Sequence, residues 1–266
     1  MRYKRGSPLD SLGFQNILKH PLSKNTFEMS KSFNFTRFIF ISLCFIFFTI
    51  IGTLTHELGH CAVAKYLGME NIVLHYGSMN YDNPMIDCQS ELYTKYEIEI
   101  RESKNFPEKA LYEELSSDIK YKSLMVRAGG PFQTMMTGTI GLIVLILFGN
   151  KFKINGELKL IGWLWIYLSL FWLRQTTNFF ASLIIFIING FKWSRRSDEM
   201  ILAYNLHLPI YSISLITGLI GVFVLLWITF FYLPRNIART FILGGLIGGI
   251  AGYLIWFVWL GKYILL

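Results

Sequence analysis

Charged residues are scarce in this chain. Asp, Glu, Lys and Arg make up 16% of its 266 residues, whereas soluble domains contain about a quarter. Hydrophobic residues account for 53% of the sequence and aromatic residues for 17%. This balance argues against a soluble globular enzyme, a disordered chain and a fibrous protein, and it favours a protein that crosses a membrane several times.

Cysteine is also rare. The chain has three cysteines, Cys44, Cys61 and Cys88, and no two of them stand in a Cys-x-x-Cys spacing. An odd and scattered set of this kind argues against a disulfide framework and against a zinc cluster built from thiolates.

Acidic residues are fewer than basic ones, 17 against 25, and the formal net charge is +8. Many of the basic residues lie in the N-terminal tail and in short segments beside apolar runs. Cations that flank membrane spans explain this distribution. We therefore expect no nucleic-acid partner, and we expect the lipid bilayer to be the principal environment.

Apolar runs are long and numerous. They occupy residues 35–55, 128–149, 160–173, 178–188, 209–232 and 240–260. A helix of about 20 apolar residues crosses a hydrocarbon core of about 30 Å. The sequence therefore predicts an all-α polytopic membrane protein with about five to six transmembrane or re-entrant helices and a small α+β insertion after the first span. The expected location is a cell membrane, with a bacterial membrane as the simplest case.

The organisation of the chain follows from these runs. The predicted parts are a polar, basic tail at 1–34, a membrane core at 35–205 with a polar insertion at 68–123, and two C-terminal transmembrane helices at 206–266. Asn34 or Ser32 is expected to cap the first helix, and Gly68 is expected to end it.

The polar insertion carries three local patterns. The short apolar run 72–76, which Gly77 ends, indicates a strand, and the alternation of apolar and charged residues over 96–101 predicts a half-buried strand. After Pro107, apolar residues at a spacing of four over 111–119 predict an amphipathic helix.

Three further patterns concern the spans. Gly129-Gly130-Pro131 is interpreted as a turn that begins the second span, although close approach of its backbone to a site is the alternative. The polar residues 174–178 interrupt an apolar stretch, so we predict that 160–190 is a broken or re-entrant segment. Gly244, Gly248 and Gly252 form a small-residue stripe that predicts close helix packing.

The motif His56-Glu57-Leu58-Gly59-His60 carries the chemistry. Residues four apart lie on one face of a helix, so both imidazoles can bind one metal ion at about 2.0–2.1 Å. Glu57 lies beside the first histidine, where its carboxylate can accept a proton from a water that the metal activates. Ionisable groups within an apolar helix are costly and are normally functional or paired, so we interpret the motif as a zinc site with Glu57 as its general base.

Two histidines do not complete a catalytic zinc site, which usually has three protein ligands. The candidates for the third ligand are His75, Asp82, Asp87, Asp198 and Glu199. The last two lie in a polar segment just before the chain becomes apolar again, whereas the first three belong to the insertion. Position alone favours Asp198 without deciding between it and the other candidates.

The order of these motifs resembles that of the site-2 proteases, a family of intramembrane zinc metalloproteases. The shared features lie within residues 40–205: the HExxH motif on the first core span, the Gly-Gly-Pro sequence, and an acidic motif after a third element. In that family the aspartate of a downstream Asp-Gly motif is the third zinc ligand. The resemblance assigns this role to Asp198, with Glu199 standing where glycine is usual.

Two asparagine motifs of the family are matched less closely. The family pattern Gly-Pro-x-x-Asn corresponds to residues 130–134, where threonine takes the place of asparagine. A second family asparagine corresponds to Asn178, and Ala181 replaces the proline usually found near it. The resemblance implies that Asn178 donates a hydrogen bond to the oxyanion of a tetrahedral intermediate or holds unwound substrate. The alternative is that Asn178 satisfies the backbone of the broken helix.

These observations together lead us to expect a zinc-dependent intramembrane endopeptidase that holds one Zn²⁺ ion and acts on membrane-spanning proteins or peptides. Two alternatives stay open. One is a membrane-anchored zinc protease that cuts outside the bilayer, with a glutamate such as Glu91 or Glu199 as third ligand. The other is a non-catalytic scaffold or transporter-like protein with a degenerate metal site. The orientation also stays open, since the basic tail favours a cytosolic N-terminus and the family resemblance favours the opposite.

Overall fold

The computed structural model describes residues 34–154, 157–194 and 197–265. The tail predicted at 1–34 therefore lies, apart from Asn34, outside the described residues. The described part of the chain is mostly helical, with five helices long and apolar enough to cross a membrane and two small antiparallel sheets of two strands each. This agrees with the predicted helical fold and its small insertion.

The regular elements follow one another in a simple order. The helices are α1 (Phe35–Tyr66), α2 (Met85–Lys95), α3 (Glu97–Arg101), α4 (Lys109–Phe148), α5 (Leu160–Ser169), α6 (Leu173–Ile188), α7 (Asp198–Asn205), α8 (Ser212–Trp227), α9 (Arg235–Tyr253) and α10 (Gly261–Ile264). The strands are β1 (Glu70–Leu74), β2 (Met79–Asp82), β3 (Lys153–Ile154) and β4 (Glu157–Leu158). Short 3₁₀ turns occupy Gly149–Phe152 and Leu170–Trp172, and wider π-helical turns occupy Ile228–Tyr232 and Leu254–Leu260.

Helix α1 begins and ends where its sequence predicts. The Asn34 side chain accepts a hydrogen bond from the Arg37 amide at 2.8 Å, which satisfies one of the free N–H groups of the first turn. After Tyr66 the chain leaves the helix through Gly68, whose φ of +75° is a left-handed conformation that glycine adopts without strain. The predicted cap at Asn34 and the predicted stop at Gly68 are confirmed.

The insertion begins with a β-hairpin. Strands β1 and β2 pair antiparallel, with Val73 opposite Asn80 and Leu74 opposite Met79. The predicted strand therefore begins earlier, at Glu70, and ends at Leu74. The residues that follow it form the turn of the hairpin.

The strand predicted at 96–101 is wrong, because Glu97–Arg101 forms the short helix α3. An alternation over so few residues does not determine a period. A helix also brings Glu97 and Arg101 together as an i,i+4 ion pair at 2.7 Å. The amphipathic helix predicted after Pro107 is confirmed as the first part of α4.

The prediction that Gly129-Gly130-Pro131 begins a span is also wrong. These residues lie in the middle of α4, which runs without a break from Lys109 to Phe148. Helix α4 tolerates the two glycines there because they lie against α1: a Cβ atom on Gly129 would lie 2.6 Å from the Gly59 carbonyl oxygen. Gly129 and Gly59 thus allow the backbones of α1 and α4 to approach each other closely.

The break predicted at 174–178 is a further error, since these residues belong to α6. The irregular turn lies earlier, at Leu170–Trp172. The polar side chains are tolerated within the helix because they have partners on other helices. The Thr176 hydroxyl, for example, donates to the Gly218 carbonyl on α8 at 2.9 Å, which is how polar groups are accommodated between apolar helices.

The glycine stripe of α9 packs against α1 as predicted. A Cβ atom would lie 2.9 Å from the Ile41 side chain if added at Gly244, 2.8 Å from Phe45 Cβ if added at Gly248, and 3.0 Å from Thr49 Cβ if added at Gly252. Close contact without side chains explains the repeat of glycine at every fourth position. Helix α9 thus covers the apolar half of α1, and the half that carries the histidines faces α4.

Candidate metal centre

Each histidine of the motif is held by a partner on α4. His56 Nδ1 lies 2.9 Å from the Thr134 hydroxyl, and His60 Nδ1 lies 2.7 Å from the Val126 carbonyl oxygen. The Thr134 hydroxyl itself donates to the Gly130 carbonyl at 3.0 Å, so it accepts from His56. A carbonyl oxygen can only accept, so the shorter contact with Val126 makes His60 Nδ1 a donor, although the Gly130 amide nitrogen also lies 3.2 Å from this atom. Both rings therefore carry their proton on Nδ1, which leaves the lone pair of each Nε2 free to bind a metal.

Asp198, which is distant from the motif in the sequence, lies beside both histidines. Its Oδ2 atom lies 3.5 Å from His56 Nε2 and 3.3 Å from His60 Nε2. The ligand atoms of these three residues all lie within 4.8 Å of one another. Arg127 on α4 also lies beside this carboxylate, with its guanidinium 3.7 Å from Oδ1. One carboxylate oxygen thus faces the histidines and the other faces a cation.

The three atoms that converge are all acceptors. A tetrahedral zinc ion with ligands at about 2.0–2.2 Å separates neighbouring ligand atoms by about 3.3–3.5 Å, and the two measured separations lie in this range. Without a cation between them, two imidazole lone pairs and a carboxylate oxygen would repel one another. The donor set of His56, His60 and Asp198 therefore fits a zinc ion.

The side chains of the site are largely buried, which raises the free-energy cost of placing a charge there. His56 and His60 are 1% and 7% exposed, and about a quarter of the Asp198 side chain is accessible. A carboxylate that binds a metal must be ionised, and a cation held by the two Nε2 atoms would favour the ionised form of Asp198.

Gly130 provides the space beside the ring nitrogens. A Cβ atom at this position would lie 2.6 Å from His56 Nε2 and even nearer to His60 Nε2. These distances place it in the volume that a metal bound to both nitrogens would occupy. Of the two interpretations of Gly129-Gly130-Pro131, close approach of the backbone to the site is the one that describes Gly130.

Glu57 follows His56 directly in α1 and is 6% exposed. Its Oε1 atom lies 3.6 Å from an Arg174 nitrogen on α6. Arg174 also donates to the Thr53 hydroxyl at 3.4 Å, and its Nε atom has no hydrogen-bond partner among the described residues. From the sequence, Arg174 was predicted only to be part of a polar break. The available signal was an arginine within an apolar run, which is normally paired or functional.

Asn178 and Glu199 form a second buried pair next to the ligands. The Asn178 amide nitrogen donates to Glu199 Oε1 at 3.2 Å, and Glu199 is 1% exposed. Burial raises the pKa of Glu199, and the Asp198 carboxylate raises it further. The predicted oxyanion donor thus has its amide group directed at a carboxylate, while Glu199 fills the position where glycine was expected.

The other candidates for the third ligand lie outside this group. His75 Nε2 lies 3.1 Å from the Asn80 amide, and Asp82 accepts from Asn71 at 2.8 Å. Asp87 and Glu91 lie on α2 and line an open surface depression. Within the described ranges, none of these four residues belongs to the group formed by the two histidines and Asp198.

Fold and site together define a bundle of helices long and apolar enough to cross a membrane, with a buried His-His-Asp donor set and a glutamate beside it. Comparisons of this chain with models of protein families, with curated proteins and with solved structures find no match.

Proposed function

We propose that this chain is an integral membrane protein and a zinc-dependent endopeptidase of the site-2-protease type, which hydrolyses peptide bonds of membrane-spanning substrates. The observation that carries the proposal is the convergence of two imidazole nitrogens and one carboxylate oxygen, which lies 3.5 and 3.3 Å from the two nitrogens, with Glu57 next to His56 in the chain. This combination supplies the three protein ligands and the base that hydrolysis by a zinc protease requires.

The chain provides ligands for one metal ion, His56, His60 and Asp198. When bound there, zinc would polarise the scissile carbonyl and acidify a water molecule. Thr134 and the Val126 carbonyl hold the two rings in the tautomer that the ion needs, and such partners commonly contribute about 10–100-fold in metal affinity.

Glu57 would move the proton. Its carboxylate accepts a proton from the attacking water as the water oxygen bonds to the carbonyl carbon, and the carbonyl electron pair moves onto oxygen. When the C–N bond breaks, its electron pair moves to nitrogen and Glu57 returns the proton there, so the products are a carboxylic acid and an amine, which become a carboxylate and an ammonium group by proton exchange. The enclosure of Glu57 keeps bulk water from competing for this proton.

Apolar surface that extends past the metal ligands supports a location within the bilayer. Helices α5 and α6 run parallel to α1, because Tyr167 contacts Ile41 and Arg174 contacts Thr53. Helix α6 continues past Arg174 to Ile188, about 14 residues or about 21 Å further. The large apolar side chains exposed there are Phe180, Ile184, Ile187 and Ile188. A lipid-facing surface thus extends beyond the plane of the metal ligands.

The same geometry argues against the anchored protease that cuts outside the bilayer. That alternative expects a glutamate as third ligand, whereas the oxygen that faces both rings belongs to Asp198. The non-catalytic alternative predicts that the site takes up no stoichiometric zinc.

The test uses the full chain purified in detergent, with zinc measured per protein and cleavage measured on a membrane-spanning peptide. Wild-type protein should hold about one equivalent of zinc and cleave the peptide. Glu57→Gln should keep the zinc and lose cleavage, whereas Asp198→Ala should lose both. Glu91→Ala, on the exposed helix α2, is the control for the anchored alternative and should change neither. Cleavage by Glu57→Gln at the wild-type rate would contradict the proposal.

A further inference from the structure

We propose that Arg174 is a catalytic residue that donates hydrogen bonds to the developing oxyanion of the scissile carbonyl. The inference rests on the proposed protease function and assigns the transition-state donor within that site. The family resemblance led us to expect this role for Asn178, but the Asn178 amide is directed at Glu199.

The guanidinium of Arg174 lies at the right place for such a donor. One of its nitrogens is 3.6 Å from Glu57 Oε1. The Glu57 carboxylate is the group that accepts the proton of the attacking water. The carbonyl under attack must lie next to that water. An oxygen bound to the attacked carbon is therefore within reach of donors that neighbour Glu57.

Arg174 has more N–H donors than its contacts use. A guanidinium carries five N–H groups in a planar fork. The Arg174 guanidinium makes a long ion pair with Glu57 and a 3.4 Å hydrogen bond to Thr53. Its buried Nε atom has no hydrogen-bond partner among the described residues. A purely structural ion pair between apolar helices would be expected to use a shorter, bidentate geometry.

An oxyanion donor must also be accessible to the substrate. Glu57 and the histidines are almost completely enclosed, but 25% of the Arg174 side chain is accessible, close to the 27% of Asp198. Arg174 and Asp198 are thus more accessible than Glu57 and the histidines, although the Arg174 Nε atom is itself buried.

The chemical step requires no proton from Arg174. As the water oxygen bonds to the carbonyl carbon, the electron pair of the C=O bond becomes negative charge on oxygen, and the N–H groups of Arg174 stabilise that charge. When the C–N bond breaks, the electron pair returns to the carbonyl and the hydrogen bonds weaken. A donor of this kind is worth about 10²–10³-fold in kcat when it is removed from other hydrolases.

The test measures binding of two probes to zinc-loaded protein. The first is a leucine-rich peptide in which a phosphinate replaces one amide, because a phosphinate reproduces the tetrahedral anion. The second is a hydroxamate peptide of the same sequence, which binds the metal without a tetrahedral anion. In Arg174→Gln we expect about 100-fold weaker phosphinate binding, hydroxamate binding within about threefold of wild type, and unchanged zinc content.

A second background separates direct contact from an effect through Glu57. In Glu57→Gln protein the base is absent, so an Arg174 that acts only by orienting Glu57 would have no further effect. We expect Arg174→Gln to weaken phosphinate binding in this background as well. Arg174→Lys keeps the charge and provides a variant more certain to fold, with an intermediate loss. Arg101→Gln, an exposed arginine paired with Glu97, is the matched control and should change nothing.

The outcomes separate the two proposals. Equal phosphinate affinity of Glu57→Gln and the double variant, within twofold, overturns the role of Arg174 and leaves the protease proposal intact. Wild-type protein that holds no zinc and binds neither probe overturns both. Weaker binding of both probes to Arg174→Gln, in parallel with lost zinc, assigns Arg174 a structural role and overturns the inference.

Discussion

Substitution of Gly130 by alanine should remove the metal site while leaving the helices in place. The added Cβ atom would lie 2.6 Å from His56 Nε2 and 2.7 Å from His56 Cδ2. Ordinary contacts of a Cβ atom are 3.4–4 Å, so the ring must retreat by about 0.8 Å or α4 must shift by as much. Metal–nitrogen bonds have a tolerance of about 0.2 Å. We therefore expect a loss of zinc affinity of at least about 100-fold.

The assay is a competition titration of purified protein against a zinc chelator, with helical content followed by circular dichroism. Gly52→Ala is the matched control, because Gly52 lies on α1 one turn before His56 and a Cβ atom there has nothing within 4 Å. This variant should bind zinc as wild type does, and alanine should stabilise the helix slightly. Wild-type zinc affinity in Gly130→Ala protein of normal helical content would refute the geometry of the site.

Three further predictions concern the supports of the site and of the bundle. Thr134→Val removes the acceptor for the His56 Nδ1 proton and should lower zinc affinity about 10–100-fold, measured by the same competition. Gly248→Ala introduces overlap between α9 and α1 and should destabilise the folded protein by about 1–3 kcal/mol, measured as the midpoint of unfolding in a denaturing detergent. Trp256→Phe removes the hydrogen bond that the indole donates to the Tyr76 carbonyl at 2.6 Å, and should increase amide hydrogen exchange in the hairpin turn.

Each of these has a control on the same element or the same residue type. Thr139 is an exposed threonine of α4 that bonds only to its own helix, so Thr139→Val should leave zinc affinity unchanged. A Cβ atom on Gly249 would have nothing within 4 Å, so Gly249→Ala should not lower the unfolding midpoint. Trp259, 62% exposed, provides the tryptophan control. Equal effects in a variant and its control would show that the cited contact does not act as described.

Local patterns in the sequence were sufficient for the elements whose stabilising groups lie within one helix. The cap by Asn34, the stop at Gly68 and the shared face of His56 and His60 all depend on residues at most four apart, and a helix brings such residues together by its own geometry. The same holds for the stripe of glycines on α9, since its period alone indicates a face that packs closely.

Predictions from local patterns were wrong where a partner far along the chain lowers the free-energy cost of placing a residue in a helix. Gly129–Pro131 breaks helices in isolation, yet it lies within α4 because α1 packs against it. The polar run 174–178 was predicted to break its helix, yet it is helical because Thr176, Arg174 and Asn178 have partners on other elements. The alternation at 96–101 was too short to distinguish a strand from a helical turn.

By itself, then, the sequence determined that this is a chain of long apolar helices and that one of them carries two imidazoles on one face with a carboxylate next to the first. Only the tertiary structure decided which acid joins the imidazoles, that Gly130 leaves room beside them, and that Arg174 reaches Glu57. The physical reason is separation along the chain: Asp198 and Arg174 meet α1 from more than 100 residues away. No local propensity specifies such a meeting, which depends on how whole helices pack.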